Sequence, residues 1–307
     1  MTSALLIANP SASQFTGGLH RDTMRVLTRR FEITPVWPQS PEHSRIAARE
    51  AAMAGVDLVV AMGGDGIVHH VAQGLIGSRT VLGVIPSGTT NVLARLLGIP
   101  AKAGSAAKML AADHDVRASS TVEVRADGPS GAWTAHAVFS LGIGPDALVV
   151  AAAETEPYRK YRFGGLHYAT TALNVVWRDI RKRRPNLTIT TFSDRPGIGA
   201  MVQFHAQYTY FGRVPLHIDD EQPDPMSVLT IGRLPVRRVG SVLRRAATGS
   251  LGEVRSLDLD RGVTRFSMQA SEPVDVQMDG EHYGRITAMT ATAEPGNLRV
   301  AVPQASP

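Results

Sequence analysis

Two glycine-rich turns are the residues best suited to chemistry. The first is Met62-Gly63-Gly64-Asp65-Gly66-Ile67-Val68, and the second is Val84-Ile85-Pro86-Ser87-Gly88-Thr89-Thr90-Asn91. Each follows a short apolar run and precedes a helix-like stretch, a spacing that brings both to one edge of a parallel sheet. Glycine lets the backbone approach a polyphosphate and aim its N–H groups at it, while the helix N-terminus behind adds partial positive charge. Asp65 is the charged group in that cradle, suited to a metal–nucleotide complex or a proton-transfer network. Alone, Gly-Gly-Asp-Gly is a tight turn in many proteins, and Asn91 before a helix is an ordinary N-cap. Together the two turns favour phosphate binding, with Thr89 facing the ligand and Thr90 or Asn91 capping. His69-His70 suggests a metal, yet adjacent helix residues do not share a face. Solvent-facing or phosphate-proximal roles suit them better.

Such turns need strands and helices to hold them. From Ala4 to Leu110 apolar strands alternate with helix-length segments, which argues for βαβ units and a parallel sheet. Strands are expected at 4–8, 32–37, 58–62 and 81–85, and helices at 18–29, 41–54, 68–75 and 91–97. From Thr121 onward alternating stretches at 121–125, 187–191, 227–231, 265–268 and 274–278, separated by turn residues, predict a β-rich second domain. The boundary is expected near 112–120, in Ala112-Asp113-His114-Asp115. That gives an α/β domain over 1–115 and a β-rich, acceptor-binding domain over 116–297, with the chain end near 298–307 packing back on the first.

At 307 residues the chain fits two domains of ordinary size. Hydrophobic residues make up 43% and charged residues 19%, and no apolar run approaches bilayer length. The first residues read as a strand rather than a signal peptide, so a soluble, cytoplasmic protein is expected. The absence of cysteine excludes disulfides, thiolate metal sites and cysteine nucleophiles. A net charge of +5, carried nearly all by arginine, suits an anionic partner. The densest basic cluster, Arg178 to Arg184, closes a helix-like segment that begins near Leu166 and contains Tyr168 and Trp177. It reads as a solvated helix C-terminus, with contact to an anionic membrane surface as the sharper alternative. No nucleic-acid module signature is present, and none is expected as a partner.

With Asn9-Pro10 closing the first strand, Gly63-Gly64-Asp65-Gly66 after the third and Gly88-Thr89-Thr90-Asn91 after the fourth, the sequence resembles the diacylglycerol kinase and sphingosine kinase catalytic family. Leu141-Gly142-Ile143-Gly144-Pro145-Asp146-Ala147, Tyr158 to Tyr168 and Asp279-Gly280-Glu281 are similar to further motifs of that family, in the same order. Bacterial lipid kinases of soluble type are nearest in length and layout. The resemblance implies a Rossmann-like or flavodoxin-like N-terminal domain, a C-terminal β-sandwich, and nucleotide held in a cleft between them. It implies ATP and Mg²⁺ as cofactors, with nucleotide lined by Asn9, Gly63, Gly64, Asp65, Gly66, Ile67, Val68, His69, Gly88 and Thr89, and Ser40 as a further candidate. Glu281 is then the general base on the lipid hydroxyl, with Asp65 organising the Mg²⁺–phosphate network. Gly142-x-Gly144-x-x-Ala147 formally matches a dinucleotide fingerprint, but no acidic residue ends a following strand. In the kinase reading it is a packed glycine turn with Asp146 facing the acceptor cleft.

The chain departs from the family at Ile67, where threonine is usual, and at His69 and His70, where Asn-Glu is common. Relatives carry a structural Mg²⁺ near an Asp-Gly in the second domain. The matching stretch here is Ile218-Asp219-Asp220-Glu221-Gln222-Pro223-Asp224-Pro225-Met226. Asp224 with backbone carbonyls at Glu221 and Met226 is the expected ligand set, and an acidic solvated loop is the other reading. The function expected is ATP-dependent phosphorylation of a lipid hydroxyl, foremost diacylglycerol to phosphatidic acid, by an enzyme bound peripherally at an anionic membrane surface. A homodimer is left open. The alternatives are an NAD kinase-like enzyme, against which the second motif speaks, and a non-catalytic lipid or nucleotide sensor on the same fold.

Overall fold

Uninterrupted apolar runs form the central strands of the first unit in the computed structural model, which describes residues 2–154, 184–211, 214–221, 223–232, 245, 251, 254 and 256–304. The chain divides into one unit of Met1–Thr121 with Pro295–Pro307 and a second of Val122–Glu294. The expected basic helix of 166–184 and the Tyr158–Tyr168 motif lie outside the described residues, except for Arg184.

In the first unit the order is β1 (Thr2–Ala8), α1 (Gly17–Leu27), β2 (Phe31–Val36), α2 (Pro41–Met53), β3 (Leu58–Gly63), α3 (Asp65–Leu75), β4 (Val81–Pro86), α4 (Val92–Leu96) and α5 (Ala103–Ala111). The strands lie β2-β1-β3-β4, all parallel. The end of β16 (Glu281–Val302) adds to β4 in parallel, Val300 opposite Leu82. Every residue of β3 is buried, as a parallel strand covered on both faces must be. Leu6, Ile7, Val59, Val60, Met62, Leu82 and Ile85 form the middle of this core. Two helices differ from the sequence expectation. α3 starts at Asp65, three residues before the expected Val68, so Gly66 belongs to its first turn; a carboxylate there is favoured by the helix dipole. α5 was not expected, and its alanines, Ala103, Ala106 and Ala107, are buried.

The second unit is built from strands, as the alternating stretches predict. It contains the end of β5 (Asp115–Asp127), then β6 (Trp133–Ala137), β7 (Leu141–Ile143), α6 (Pro145–Glu154), β8 (Leu187–Thr190), β9 (Asp194–Gly197), β10 (Gly199–Gln203), β11 (Thr209–Phe211), β12 (Val214–Leu216), β13 (Ser227–Ile231), β14 (Leu257–Asp260), β15 (Arg265–Met278) and most of β16. Strands β14-β13-β10-β7-β15-β16 pair antiparallel in that order. The expected segments 265–268 and 274–278 are one strand, β15, interrupted by a register shift between Gln269 and Val274. Inward positions such as Val122, Val124, Phe266, Met268, Val276 and Met278 make its core. Among the described residues no helix is long and apolar enough to cross a membrane.

Candidate active site

At the carboxyl edge of the parallel sheet three connections meet. The Ser87 N–H donates to the Gly63 carbonyl at 2.8 Å, and the Asn9 N–H donates to the Met62 carbonyl at 3.0 Å. Gly64 and Gly88 are in backbone contact. A Cβ on Gly88 would lie 2.4 Å from the Gly64 Cα, and one on Gly63 would lie 2.4 Å from Ile67 Cγ2. The two turns therefore come together only because both lack side chains.

The loop after β1 closes one side. The Gln14 amide donates to the Gly88 carbonyl at 2.9 Å, its backbone N–H donates to the Ser87 carbonyl at 2.9 Å, and Ser13 Oγ lies 3.2 Å from Thr89 Oγ1. Asn91 has positive φ, 52°, and closes the second turn on itself. Its Oδ1 accepts the Gly88 N–H at 3.1 Å and its Nδ2 donates to the Gly88 carbonyl at 2.9 Å. Its side chain does not cap α4, contrary to expectation. That task falls to Asp65, whose Oδ1 accepts the Val92 N–H at 2.6 Å. Part of Asp65 is thus spent tying one turn to the other.

No side chain caps the start of α3 at Gly64, where the first amides of any α-helix lack intrahelical acceptors. Gly64, Asp65 and Gly66 are half-exposed and Thr89 is exposed. The buried Ser87 hydroxyl has no hydrogen-bond partner. A side-chain-free cradle at an uncapped helix start fits the phosphates of a nucleotide. When bound, ATP would supply the transferable phosphoryl group, held by Asn9, the Gly63–Gly66 backbone, Gly88 and Thr89.

Other expected contacts are placed differently. Ile67, Val68 and His69 have buried side chains, His69 completely, so these three can offer only backbone to a ligand. The solvent-facing reading of His69 is corrected: α3 turns that ring into the core, and His70 stacks on it edge-on at 5.0 Å. Ser40 is the N-cap of α2, its Oγ accepting the His43 N–H at 3.1 Å.

In the second unit the Asp279-Gly280-Glu281 turn is held by its neighbours' backbone. Asp279, with φ of 58° and almost fully buried, accepts the N–H groups of Val138, Phe139 and Ser140 at 2.8, 2.8 and 2.9 Å. Three backbone donors converge on this carboxylate, one on Oδ2 and two on Oδ1, and fix its orientation. Glu281, the other carboxylate of the motif, is half-buried at the start of β16.

Asp146, half-buried, is committed to partners within the second unit. Tyr208 Oη donates to it at 2.6 Å and Gln277 Nε2 at 2.7 Å, while Gln277 Oε1 accepts the Gly280 N–H at 2.9 Å. Burial raises the Asp146 carboxyl above its ordinary range. Burial, with Asp146 alongside, also pushes the Tyr208 phenol well up. The chain Asp146–Tyr208–Gln277 therefore braces the Glu281 turn from beneath. Sequence reasoning missed Tyr208 and Gln277 because nothing in their local pattern marks them.

The loop expected to hold a structural cation is charge-balanced from within. Buried Asp219 receives Arg261 Nε at 3.0 Å and Nη2 at 2.8 Å, Ser227 Oγ at 2.5 Å and the Glu221 N–H at 3.2 Å. Arg261 reaches Asp220 at 3.2 Å as well. Burial opposes ionisation of Asp219, but these donors outweigh it and hold the carboxyl below its ordinary value. The Met226 carbonyl accepts the Val263 N–H at 3.0 Å, and Asp224 is exposed. With a guanidinium in the loop, the donor set at Glu221, Asp224 and Met226 does not fit a dication.

Residues 3–124 match the family model described as Diacylglycerol kinase catalytic domain. Over 270 residues, 86% of this chain and 82% of the other, the sequence is 28% identical to the Pseudomonas aeruginosa protein named "Probable lipid kinase YegS-like". It is 55% identical to a Bacillus subtilis protein named Diacylglycerol kinase over 56 residues, 18% of each chain. A crystal structure of a diacylglycerol kinase from Bacillus anthracis superposes with a TM-score of 0.74 at 20% identity, covering 99% of this chain and 98% of that one. That likeness establishes the fold, an α/β domain followed by a sheet-rich one.

Proposed function

We propose, from the match of residues 3–124 to the diacylglycerol kinase catalytic model and the likeness to lipid kinases, that the chain transfers the γ-phosphoryl group of ATP to a lipid hydroxyl, with diacylglycerol as acceptor. The observation that carries this is the contact of Gly64 with Gly88 at the uncapped start of α3. A cradle of this kind suits an anionic ligand such as a polyphosphate.

Phosphoryl transfer asks the protein mainly for in-line positioning and charge neutralisation. Backbone N–H groups at 63–66 and 88–89 would neutralise phosphate oxygens. Asp65 would orient the Mg²⁺ that accompanies the nucleotide, and Glu281 would accept the proton of the attacking hydroxyl. The rigid brace of Asp279, Gln277 and Asp146 supports that role, since a base acts only within hydrogen-bond reach. Diacylglycerol is favoured because the matched family model and the Bacillus subtilis relative carry that name. An acceptor of this kind places the enzyme at the surface of a membrane.

The test is incubation of purified protein with labelled ATP, Mg²⁺ and a panel of hydroxylated lipids in mixed micelles, with NAD as a separate arm. Label is expected in phosphatidic acid, and Glu281→Ala is expected to lower turnover on the order of a thousandfold while ATP binding survives. Label in NAD alone, or near-full activity of the Glu281 variant, would reject the reading.

A further inference from the structure

Three aromatic rings cluster beside the glycine cradle. Trp37 follows the last residue of β2, and Phe15 and His20 come from the loop after β1 and from α1. The His20 and Trp37 rings are 4.4 Å apart, and the Phe15 ring meets Trp37 edge-on at 5.9 Å. Trp37 is 44% exposed, whereas its two supports are half-buried. Ile46, Met53 and Val116 of this unit are exposed as well, but Trp37 is the one held in place by two other rings. His20 Nε2 is buried without a hydrogen-bond partner. Burial also lowers the His20 basicity, so the ring beneath Trp37 is neutral at neutral pH.

The register of the sheet fixes where this cluster lies. Val36 pairs with Ile7, and Ala8 pairs with Met62. Trp37 is therefore level with Ala8 and Met62, at the same carboxyl edge as Gly63. Strand order places β2 two strands from β3, about 10 Å at the usual spacing. The loop that carries Phe15 is the one that carries Ser13 and Gln14 against Thr89 and Gly88. One short segment thus borders the phosphate cradle at one end and supports Trp37 at the other. That separation suits the distance in a nucleotide from its phosphates across the ribose to its base.

We propose that Trp37, backed by Phe15 and His20, is the stacking platform for the nucleobase of the bound nucleoside triphosphate. The inference rests on the kinase reading of the cradle. An aromatic face attracts any base by stacking and dispersion, so the platform supplies affinity for the nucleoside without selecting strongly among bases. Ser40, occupied as a helix cap, is then not needed for base recognition.

The experiment is calorimetric titration of wild type, Trp37→Ala and Trp37→Phe with Mg²⁺–ATP and, separately, with Mg²⁺–tripolyphosphate, which has the phosphates and no base. Trp37→Ala should weaken ATP binding on the order of tenfold or more and leave tripolyphosphate binding unchanged. Trp37→Phe should keep most of the affinity. Equal ATP affinity in wild type and Trp37→Ala overturns the platform while leaving the kinase reading intact. Parallel loss of ATP and tripolyphosphate in Trp37→Ala overturns it too, since the ring would then be shaping the loop rather than meeting a base. Failure of wild type to bind either ligand rejects the kinase reading and the platform with it.

Discussion

The glycine cradle of the first unit and the Asp-Gly-Glu turn of the second solve opposite problems. In the cradle, side chains have been removed so that two stretches of backbone touch, Gly64 against Gly88, and polar groups such as the Ser87 hydroxyl stay unpartnered. In the turn, side chains have been added and satisfied, with three N–H groups on Asp279 and two donors on Asp146. A site that must receive a highly charged ligand keeps its hydrogen-bonding capacity in reserve. A site that must aim one carboxylate spends that capacity on itself.

Gly88→Ala should break the contrast most severely. The new methyl would meet Gly64 backbone, which cannot rotate away, so the turns must separate. ATP affinity should fall on the order of a hundredfold, read by calorimetry. The control is Gly104→Ala on the exposed face of α5, where nothing lies within 4 Å; it should raise stability by about 0.5–1 kcal/mol. Normal ATP binding in Gly88→Ala would show that the turns do not need to touch.

Asp279→Asn tests the other side. Asparagine tolerates positive φ as aspartate does, so the change isolates the hydrogen bonds. An amide must turn a donor toward at least one N–H, and unfolding free energy should drop by about 2–3 kcal/mol. Turnover should fall with it while the KM for ATP holds. Unchanged denaturation midpoints would mean that the three N–H bonds do not hold the turn.

The smallest effect is a pH dependence. A carboxyl whose folded value is raised keeps its proton longer in the folded state. Stability is therefore lost as pH rises from the ordinary carboxylate value, 3.8, through the raised folded value of Asp146, and stays lost above it. Asp146→Asn should remove that decline, so its stability relative to wild type should grow with pH across this window. A difference that does not change with pH would place Asp146 in solvent-like surroundings.

Legibility in the sequence followed the range of the interactions. Apolar runs such as Leu58 to Met62 marked the parallel strands to within a residue or two, because burial on both faces leaves a local signature. Helix α5 escaped notice because Gly104 and Ser105 weaken an otherwise alanine-rich segment. The two glycine turns were legible because glycine at a point of close approach has no substitute. The identity of the α4 cap was not: Asp65 reaches Val92 across 27 residues, displacing Asn91 from that role. The surroundings of Asp146 were hidden more deeply, since Tyr208 and Gln277 lie 62 and 131 residues away. His69 was misjudged because helical spacing says which residues share a face, but not which face meets the core.

The guanidinium of Arg261 on Asp219 has a consequence for how this chain lives with metal. An ion held from solution can be withdrawn by a chelator or exchanged for a competitor. A cation that is part of the polypeptide is present from synthesis and at fixed stoichiometry. The charge balance at Asp219 and Asp220 therefore does not depend on an ion drawn from solution.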